Sequence, residues 1–319
     1  RCDSCGKAMR RHGKTGAGTQ RWFCPLCAKT GIKKRLDQQQ RGIALLFQEW
    51  LTGNATLKDL AKRFGVSKQT LVGRFKKCWH QPCAATSQHN VRTIVLDATG
   101  IEHDCVLLII LDAQTNAPIA WRPAMRETYA SWTSLLERCP QQPRYVVADG
   151  HAGLLKAVRE RWPKILIQRC IAHVLREMRV LLTRRPKLPA GIALRILVAA
   201  IPDIHTRRQK RKWVRALLHW QKKYKQFLKE KTFTLGGHWH YTHRRLRHAA
   251  THLLRALPDL FRFVTDRSVP NTSNQVEGGL NASIKDLLRK HRGMSVRRRL
   301  VVATFYLRKR AEKTTRNFN

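Results

Sequence analysis

Residues 91–123 read VRTIVLDATGIEHDCVLLIILDAQTNAPIAWRP. The apolar runs TIVLD, VLLIILD and PIAWRP are each of strand length. Asp112 to Pro118 supply turn chemistry between the second and third runs. Downstream, RYVVADG (144–150) and ILIQRC (165–170) read as further short strands. Amphipathic helical patterns over YASWTSLLERC (129–139) and GLLKAVRERW (153–162) flank the strand that ends at Asp149. Three hairpin-joined strands followed by strands alternating with helices predict one mixed sheet with its first strand central, which sets Asp97 beside Asp149.

Among the chain's few carboxylates, Asp97 and Asp149 each close an apolar run, and Glu277 follows far downstream in NTSNQVEGGLNASIKDLLRKHRG (271–293). An ionised carboxylate beside apolar strands is costly to desolvate without a cation, so these positions fit bound metal better than packing. The bland alternatives are a turn residue for Asp97, a helix cap for Asp149 and an exposed helix acid for Glu277. On a helix starting near Asn274, Val276, Leu280, Ile284, Leu287 and Leu288 form an apolar stripe, and Glu277, Asn281 and Lys285 share a polar face beside it. That face suits a metal and a phosphate chain together. The element order is that of an α/β, RNase H-like (retroviral integrase-like) catalytic domain, and the three acids point to two-metal phosphoryl transfer.

Charge names the partner. Lys and Arg number 63 against 20 Asp and Glu, a formal net charge of +43, distributed along nearly the whole chain. Self-repulsion on this scale is offset most readily by a polyanion, so nucleic acid is the expected partner. No apolar stretch is long enough to span a bilayer and no signal peptide is visible, so no membrane partner and a cytoplasmic location are expected.

Cys2, Cys5, Cys24 and Cys27 have the C-x2-C-x18-C-x2-C spacing of a four-thiolate zinc site, which predicts a zinc ribbon over residues 1–36. Gly6 suits the turn of the first knuckle, and Trp22 and Phe23 supply part of a small core. Cys78, Cys83, Cys105 and Cys139 read as small apolar residues. After a polar linker around Leu36 to Gln40, GIALLFQEWL (42–51) spaces its apolar residues for one helix. ATLKDLAKRFGVSKQTLVGRFKKCW (55–79) then reads as a helix-turn-helix, giving a DNA-binding domain over 37–88. Leu57, Leu60 and Ala61 face inward on its first helix, Gly65 makes the turn, Val66 packs beneath it, and Ser67 caps a second helix carrying Leu71, Val72 and Phe75. Lys68, Gln69, Thr70, Arg74 and Lys77 are left exposed for base edges and phosphates.

The blocks LDATG, VVADG followed by GLLKA, QRCIAH and NTSNQVEGGLNASIKDLLRKHRG resemble those of Mutator-like transposases and the related bacterial insertion-sequence transposases. The resemblance covers most of the chain from Val91 to Arg310. It implies that Asp97, Asp149 and Glu277 are the DDE acids, binding Mg2+ or Mn2+, and that the C-x2-H signature falls on Cys170 and His173, with His173 near the scissile phosphate. It implies a transposase that binds terminal inverted repeats and catalyses metal-dependent cleavage and strand transfer, acting as a homodimer or larger assembly on transposon ends and target DNA. A DNA-binding regulator that does not cut and a structure-selective nuclease are the other classes these residues allow.

Between Glu177 and Thr265 lies a long basic interval containing RRQKRKWVRALLHWQKKYKQFLKEK (207–231) and YTHRRLRHAATHLLRALPDLF (241–261). The resemblance implies an all-helical insertion there, over 185–268, dividing the catalytic domain into 89–184 and 269–319. Trp213, Leu217, Leu218 and Trp220 have core spacing. Arg207, Arg208, Lys210, Arg211 and Lys212, and later Arg244, Arg245 and Arg247, are expected to lie against phosphate.

Overall fold

The computed structural model describes residues 2, 4–32, 36–53, 55–80, 91–139, 141–273, 275–291 and 293–316. The chain divides into two compact units, Arg1–Gln81 and Pro82–Asn319.

The first unit opens with an antiparallel three-stranded sheet, β1 (Arg10–Lys14), β2 (Gln20–Phe23) and β3 (Thr30–Ile32), in the order β1-β2-β3. Three helices follow: α1 (Leu36–Thr52), α2 (Leu57–Arg63) and α3 (Lys68–Phe75). α1 begins at Leu36, so the expected linker is its first turn; Asp37 and three glutamines contain no breaker and are tolerated in a helix. Thr56 and Asp59 form a capping box at the start of α2, and Gly65 at φ +61 turns the chain toward α3. Ser67 caps α3 by accepting from the Thr70 amide at 3.1 Å. Phe47, Leu51, Leu60, Leu71 and Phe75 form the core, and Phe75 stacks on Trp50 with centroids 5.6 Å apart. Val72, expected inside, is 40% exposed: Leu71 and Phe75, four residues apart, occupy the inward stripe of so short a helix and turn Val72 outward.

The second unit is built on a five-stranded sheet of β4 (Thr93–Glu102), β5 (Cys105–Asp112), β6 (Pro118–Ala124), β7 (Tyr145–Ala148) and β8 (Leu166–Arg169), in the order β6-β5-β4-β7-β8. β4 is central, antiparallel to β5 and parallel to β7. The turn from β5 to β6 is closed by Asp112, which accepts from the Gln114 amide at 2.9 Å and the Thr115 hydroxyl at 2.6 Å, with Asn116 at φ +57. α4 (Tyr129–Leu136) and α5 (Ala152–Arg161) cover one face, where Ile94, Leu96, Ile110, Trp132, Val146 and Val158 form a single core. Gly153 lets the two connections meet: a Cβ there would lie 2.8 Å from the Tyr129 amide nitrogen.

β8 leads into α6 (Ile171–Leu182), followed by α7 (Pro189–Ala199) and α8 (Arg207–Lys223). The interval expected to be all-helical also holds a hairpin, β9 (Lys231–Phe233) with β10 (Trp239–Tyr241), before α9 (Arg244–Ala256). Its Gly236–Gly237 pair and the short KTF and WHY runs favour a tight turn over helix. Trp213, Leu217 and Trp220 join the core of α6 to α9, and the two indole N–H groups donate to the carbonyls of Leu197 and Ala190. Leu218 is 48% exposed, because the inward stripe of α8 is filled by Trp213, Leu217 and Trp220 at three- and four-residue steps. The chain returns through a π-helical turn (Gln275–Asn281) into α10 (Ala282–Lys290) and then α11 (Val296–Arg316), which lies against β4 and β6.

One side chain joins the sheet edge to the segment that follows α9. Gln168 is fully buried in β8; its Nε2 donates to the carbonyls of Arg169 at 2.7 Å and Leu260 at 2.9 Å, and its Oε1 accepts from the amides of Arg262 at 2.8 Å and Phe263 at 3.2 Å. Gln168→Leu leaves several buried backbone groups without partners, each worth about 1–3 kcal/mol, and is expected to destabilise the fold by about 2–4 kcal/mol in urea unfolding. A change below about 0.5 kcal/mol would show that this bridge is not what fastens the insertion.

Candidate functional site

The parallel register builds the site. β4 and β7 pair as Thr93–Tyr145, Ile94–Val146 and Val95–Val147; carried two residues further, that register sets Asp149 beside Asp97. β7 and β8 pair through Ala148–Arg169, and one further step sets Cys170 beside Asp149, with the Cys170 amide donating to the Ala148 carbonyl at 2.8 Å. Asp97 in β4, Asp149 one residue past β7 and Cys170 one residue past β8 therefore fall in one row across the sheet end.

Asp97 is not a turn residue. It sits five residues into a ten-residue strand and pairs with Ile109 of β5, because ATGIE continues the antiparallel ladder beyond the point where β7 stops. Its side chain is buried, and its Oδ2 accepts from Asn281 Nδ2 at 2.7 Å. Asn281 is buried too, so this expected phosphate contact instead orients a carboxylate; Lys285, one turn on, is exposed. Asp149 does not cap α5. His151 is the cap, and Asp149 Oδ1 accepts from the His151 amide at 2.9 Å just ahead of it. Glu277 lies in the π-helical turn, where a regular α-helix was expected, and its side chain falls outside the described residues.

Cys170 fastens the segment that leads to Glu277. Its sulfur is fully buried and accepts from the Ser273 amide at 3.2 Å and the Ser273 hydroxyl at 3.1 Å, while the Ile171 amide donates to the Asn271 carbonyl at 2.9 Å. Burial alone would raise the thiol, but hydrogen bonds to His173 and Ser273 outweigh it and hold Cys170 below its ordinary range. His173, half-buried on the first turn of α6, thus faces the Cys170 sulfur.

Three further groups at this site carry no motif. Glu127 precedes α4, receives the Trp132 indole N–H at 2.9 Å and lies 3.6 Å from His151 Nδ1. Burial, and then the charge of Asp149, raise its carboxyl above the ordinary range. His151 Nδ1 accepts from the Leu154 amide at 3.3 Å, which places the proton of the neutral imidazole on Nε2. Arg169 is buried, and its guanidinium occupies the space where a Cβ on Gly150 would fall, 2.0 Å from Nη2. The only signal for Glu127 was scarcity: with 20 acids in the chain, each one repays placing.

Residues 126–293 match the Transposase IS66 family, which is more than half of the chain. The chain belongs to that family. The match spans Glu127, Asp149, Cys170, His173 and Glu277 and begins after Asp97; it establishes a transposase family without reaching the Mutator-like branch that the sequence blocks resemble. No curated protein matches the chain. A transposase family implies DNA as the partner, and no helix among the described residues is long and apolar enough to cross a membrane.

In this transposase-family chain the expected DNA contacts divide by exposure. Lys68, Gln69, Thr70 and Arg74 are exposed on α3, and Lys77 on the short turn after it. Arg207, Arg208 and Arg211 are exposed on α8, and Arg244 on α9. Arg245 also donates to the Val180 carbonyl of α6, and Arg247 is half-buried with its guanidinium 3.9 Å from the Tyr241 ring, so both also tie α9 to its neighbours.

In the first unit, Cys2, Cys5, Cys24 and Cys27 converge, the one group of potential metal ligands among the described residues. Sγ–Sγ distances of 3.5 Å for Cys2–Cys27, 3.4 Å for Cys5–Cys24 and 3.7 Å for Cys5–Cys27 are too long for disulfides. They fit the edges of a tetrahedron about 3.8 Å on a side, which Zn–S bonds of about 2.3 Å require. Backbone amides of Ser4 and Cys5 draw Cys2 down to about 6, and the Cys27 amide lowers Cys24. Cys5, despite the Lys7 amide, is pushed up to about 12 by its hydrogen bonds to the neighbouring sulfurs. Each knuckle thus holds one sulfur whose pKa is drawn below its ordinary value, a donor set suited to a structural Zn2+.

Two outcomes follow from this geometry. Elemental analysis of freshly purified protein is expected to give one zinc per chain, lost in Cys2→Ser or Cys24→Ser; protein without zinc would remove the site. For Cys170, a depressed thiol pKa stabilises the fold above the unfolded value of 9.0, and this contribution is lost as pH falls through the lower folded value. The stability difference between wild type and Cys170→Ala is therefore expected to grow as pH rises toward 9.0, and a pH-independent difference would count against a thiolate.

Proposed function

We propose that this chain is the DNA transposase of an insertion sequence, cutting and joining strands at an RNase H-like centre formed by Asp97, Asp149 and Glu277. The observation that carries the reading is the parallel register of β4 and β7, which sets Asp149, one residue past β7, beside Asp97 of β4 within a transposase-family chain. The sheet order β6-β5-β4-β7-β8, with its first strand central, supports the RNase H-like assignment. Affinity to the Mutator-like branch rests on the sequence blocks alone.

The donor set fits Mg2+ or Mn2+: hard carboxylate oxygens, one of them on a buried side chain whose other oxygen is already fixed by Asn281. Such an ion, when bound by the three acids, supplies Lewis acidity toward water and phosphate. The chain's own groups do the positioning. Asn281 orients the Asp97 carboxylate, the His151 amide orients that of Asp149, and the Cys170–Ser273 contact holds the start of the segment that carries Glu277. Glu127, with its raised pKa, keeps a proton beside Asp149 over a wider pH range than an ordinary carboxyl. His173 is taken as a group close to the scissile phosphate.

The N-terminal unit reads as the part that finds the transposon end: a zinc ribbon over 1–36 and a helix-turn-helix over 37–88, with α3 as the recognition helix. Within the second unit the catalytic domain comprises 89–184 and 269–319, and the insertion over 185–268 presents Arg207, Arg208, Arg211 and Arg244 to phosphate. Two ends must be joined, so a homodimer or larger assembly on DNA is inferred, in a bacterial cytoplasm at the nucleoid.

Asp97→Asn, Asp149→Asn and Glu277→Gln are each expected to abolish divalent-metal-dependent cleavage and strand transfer on duplexes carrying the element's ends, with end affinity retained. Substantial cleavage by any one of them removes that residue from the catalytic set. Wild-type binding without cutting would identify a regulator, and cutting without preference for the ends a nuclease.

A further inference from the structure

The hairpin between α8 and α9 has the wrong surface for a spacer. Its base is tied on both strands: Thr232 Oγ1 meets Thr242 Oγ1 at 2.8 Å, the Thr242 amide donates to the Glu230 carbonyl at 3.0 Å, and His243 Nε2 lies 2.9 Å from Glu230 Oε2. Its tip is closed as well. The Thr234 amide and hydroxyl both donate to the His238 carbonyl, at 2.8 and 3.1 Å, and the Gly237 amide donates to the Thr234 carbonyl at 3.0 Å with Gly237 at φ +75. This turn chemistry holds Leu235 at the apex, where any polar residue would serve the turn equally well. Leu235 is nevertheless fully exposed, and below it the cross-strand partners Phe233 and Trp239 are 69% and 48% exposed.

Three large apolar side chains on a hydrogen-bonded two-stranded stalk are an exposed patch that needs an occupant. The surroundings choose it. Lys231 Nζ lies 3.7 Å from the centre of the Trp239 ring, Trp239 meets Tyr241 edge to face at 5.3 Å, and Arg247 caps Tyr241. Tyr241 then opens onto a groove lined by Arg244, His248 and Arg255 of α9. An apolar tip rising from a cationic base complements nucleic acid, where flat apolar bases lie between anionic backbones.

We propose that this hairpin is a DNA wedge: Leu235 enters the base stack where the duplex is opened, Phe233 and Trp239 stack on unpaired bases, and Lys231 and Arg244 take the flanking phosphates. The wedge rests on the reading that the chain acts on DNA, and its occupant is distorted or single-stranded DNA rather than intact duplex.

The test uses the full chain and duplexes carrying 2-aminopurine beside a mismatch or gap. Wild type is expected to raise 2-aminopurine fluorescence on binding and to prefer the gapped duplex over the intact one. Leu235→Asn, which keeps a turn-forming residue at the apex, is expected to cut the fluorescence rise. Phe233→Ser combined with Trp239→Ser should lower affinity for the gapped duplex on the order of 10- to 100-fold. The salt dependence of binding to intact duplex should stay unchanged in both, because their phosphate contacts remain, and this also shows that the variants fold. Wild-type fluorescence and preference in both variants would overturn the wedge, even if flotation with anionic phospholipid vesicles or self-association proved to depend on the tip. If wild type bound neither duplex, the DNA reading itself would fall, an outcome distinct from loss of the wedge alone.

Discussion

The hydrogen bond between Asn281 and Asp97 spans 184 residues of sequence and joins two buried side chains, and the remaining architecture is arranged so that it can form. A carboxylate at the depth of Asp97 loses most of its hydration and needs fixed polar partners in exchange. Asn281 can serve only if the chain, after leaving the sheet at β8 and traversing four helices and a hairpin, returns to the same place. The return is pinned at successive points near the sheet edge. Gln168 ties the sheet to the backbone at Leu260, Arg262 and Phe263; the Ile171 amide holds Asn271; and the Cys170 sulfur holds Ser273. These anchors lie on consecutive or nearly consecutive residues of β8 and the start of α6, so the edge that presents Cys170 beside Asp149 is also the edge that closes the insertion.

Much of this was legible in the sequence, because strands and capped helices announce themselves locally. The apolar runs ending at Asp97 and Asp149 were found with their order across the sheet, since hairpin connections and alternation with helices restrict the choices. The turn at Asp112, the cap at Ser67 and the left-handed Gly65 carry the same kind of local chemistry. Contacts that close over long separations were not legible. Neither Gln168, which looks like one more polar residue in ILIQRC, nor Glu127, in a loop without a motif, has a local signature of its burial. Helical spacing gives Asn281 a face and not its neighbour, and the π-helical turn that ends at Asn281 changes the phase of that face. Leu218 and Val72 show the same limit, as apolar residues beside a stripe that the fold had already filled.

The scarcity of acids has a structural consequence. Several acids act as fixed points rather than as surface charge: Asp59 in a capping box, Asp112 in a turn, Asp259 between Arg159 and Arg262, and Glu177 beside His252. With so many placed this way, few remain to neutralise the exposed lysines and arginines of α3, α8 and α9. Such side chains add little stability through isolated surface pairs, and their mutual repulsion opposes the compact state. The charge excess is therefore a property that folding tolerates and that a polyanion relieves, which is consistent with membership of a transposase family.

The opposite problem arises at the N-terminus. Among the described residues up to Ile32, only Cys2 and Cys24 are buried, and every residue of β1 is exposed. A sheet of three short strands with that interior has almost no apolar surface to remove from water, so its geometry must come from elsewhere. The two knuckles show where. The Gly6 amide donates to the Cys2 carbonyl at 2.9 Å and the Ala28 amide to the Cys24 carbonyl at 3.0 Å, with both residues in the left-handed region, at φ +68 and +56. Alanine adopts that backbone at a cost glycine avoids, so local preference alone does not shape the second knuckle. Two loops with the same hydrogen-bond pattern bring four sulfurs to tetrahedral spacing, a donor set that suits an ion where a hydrophobic core is lacking.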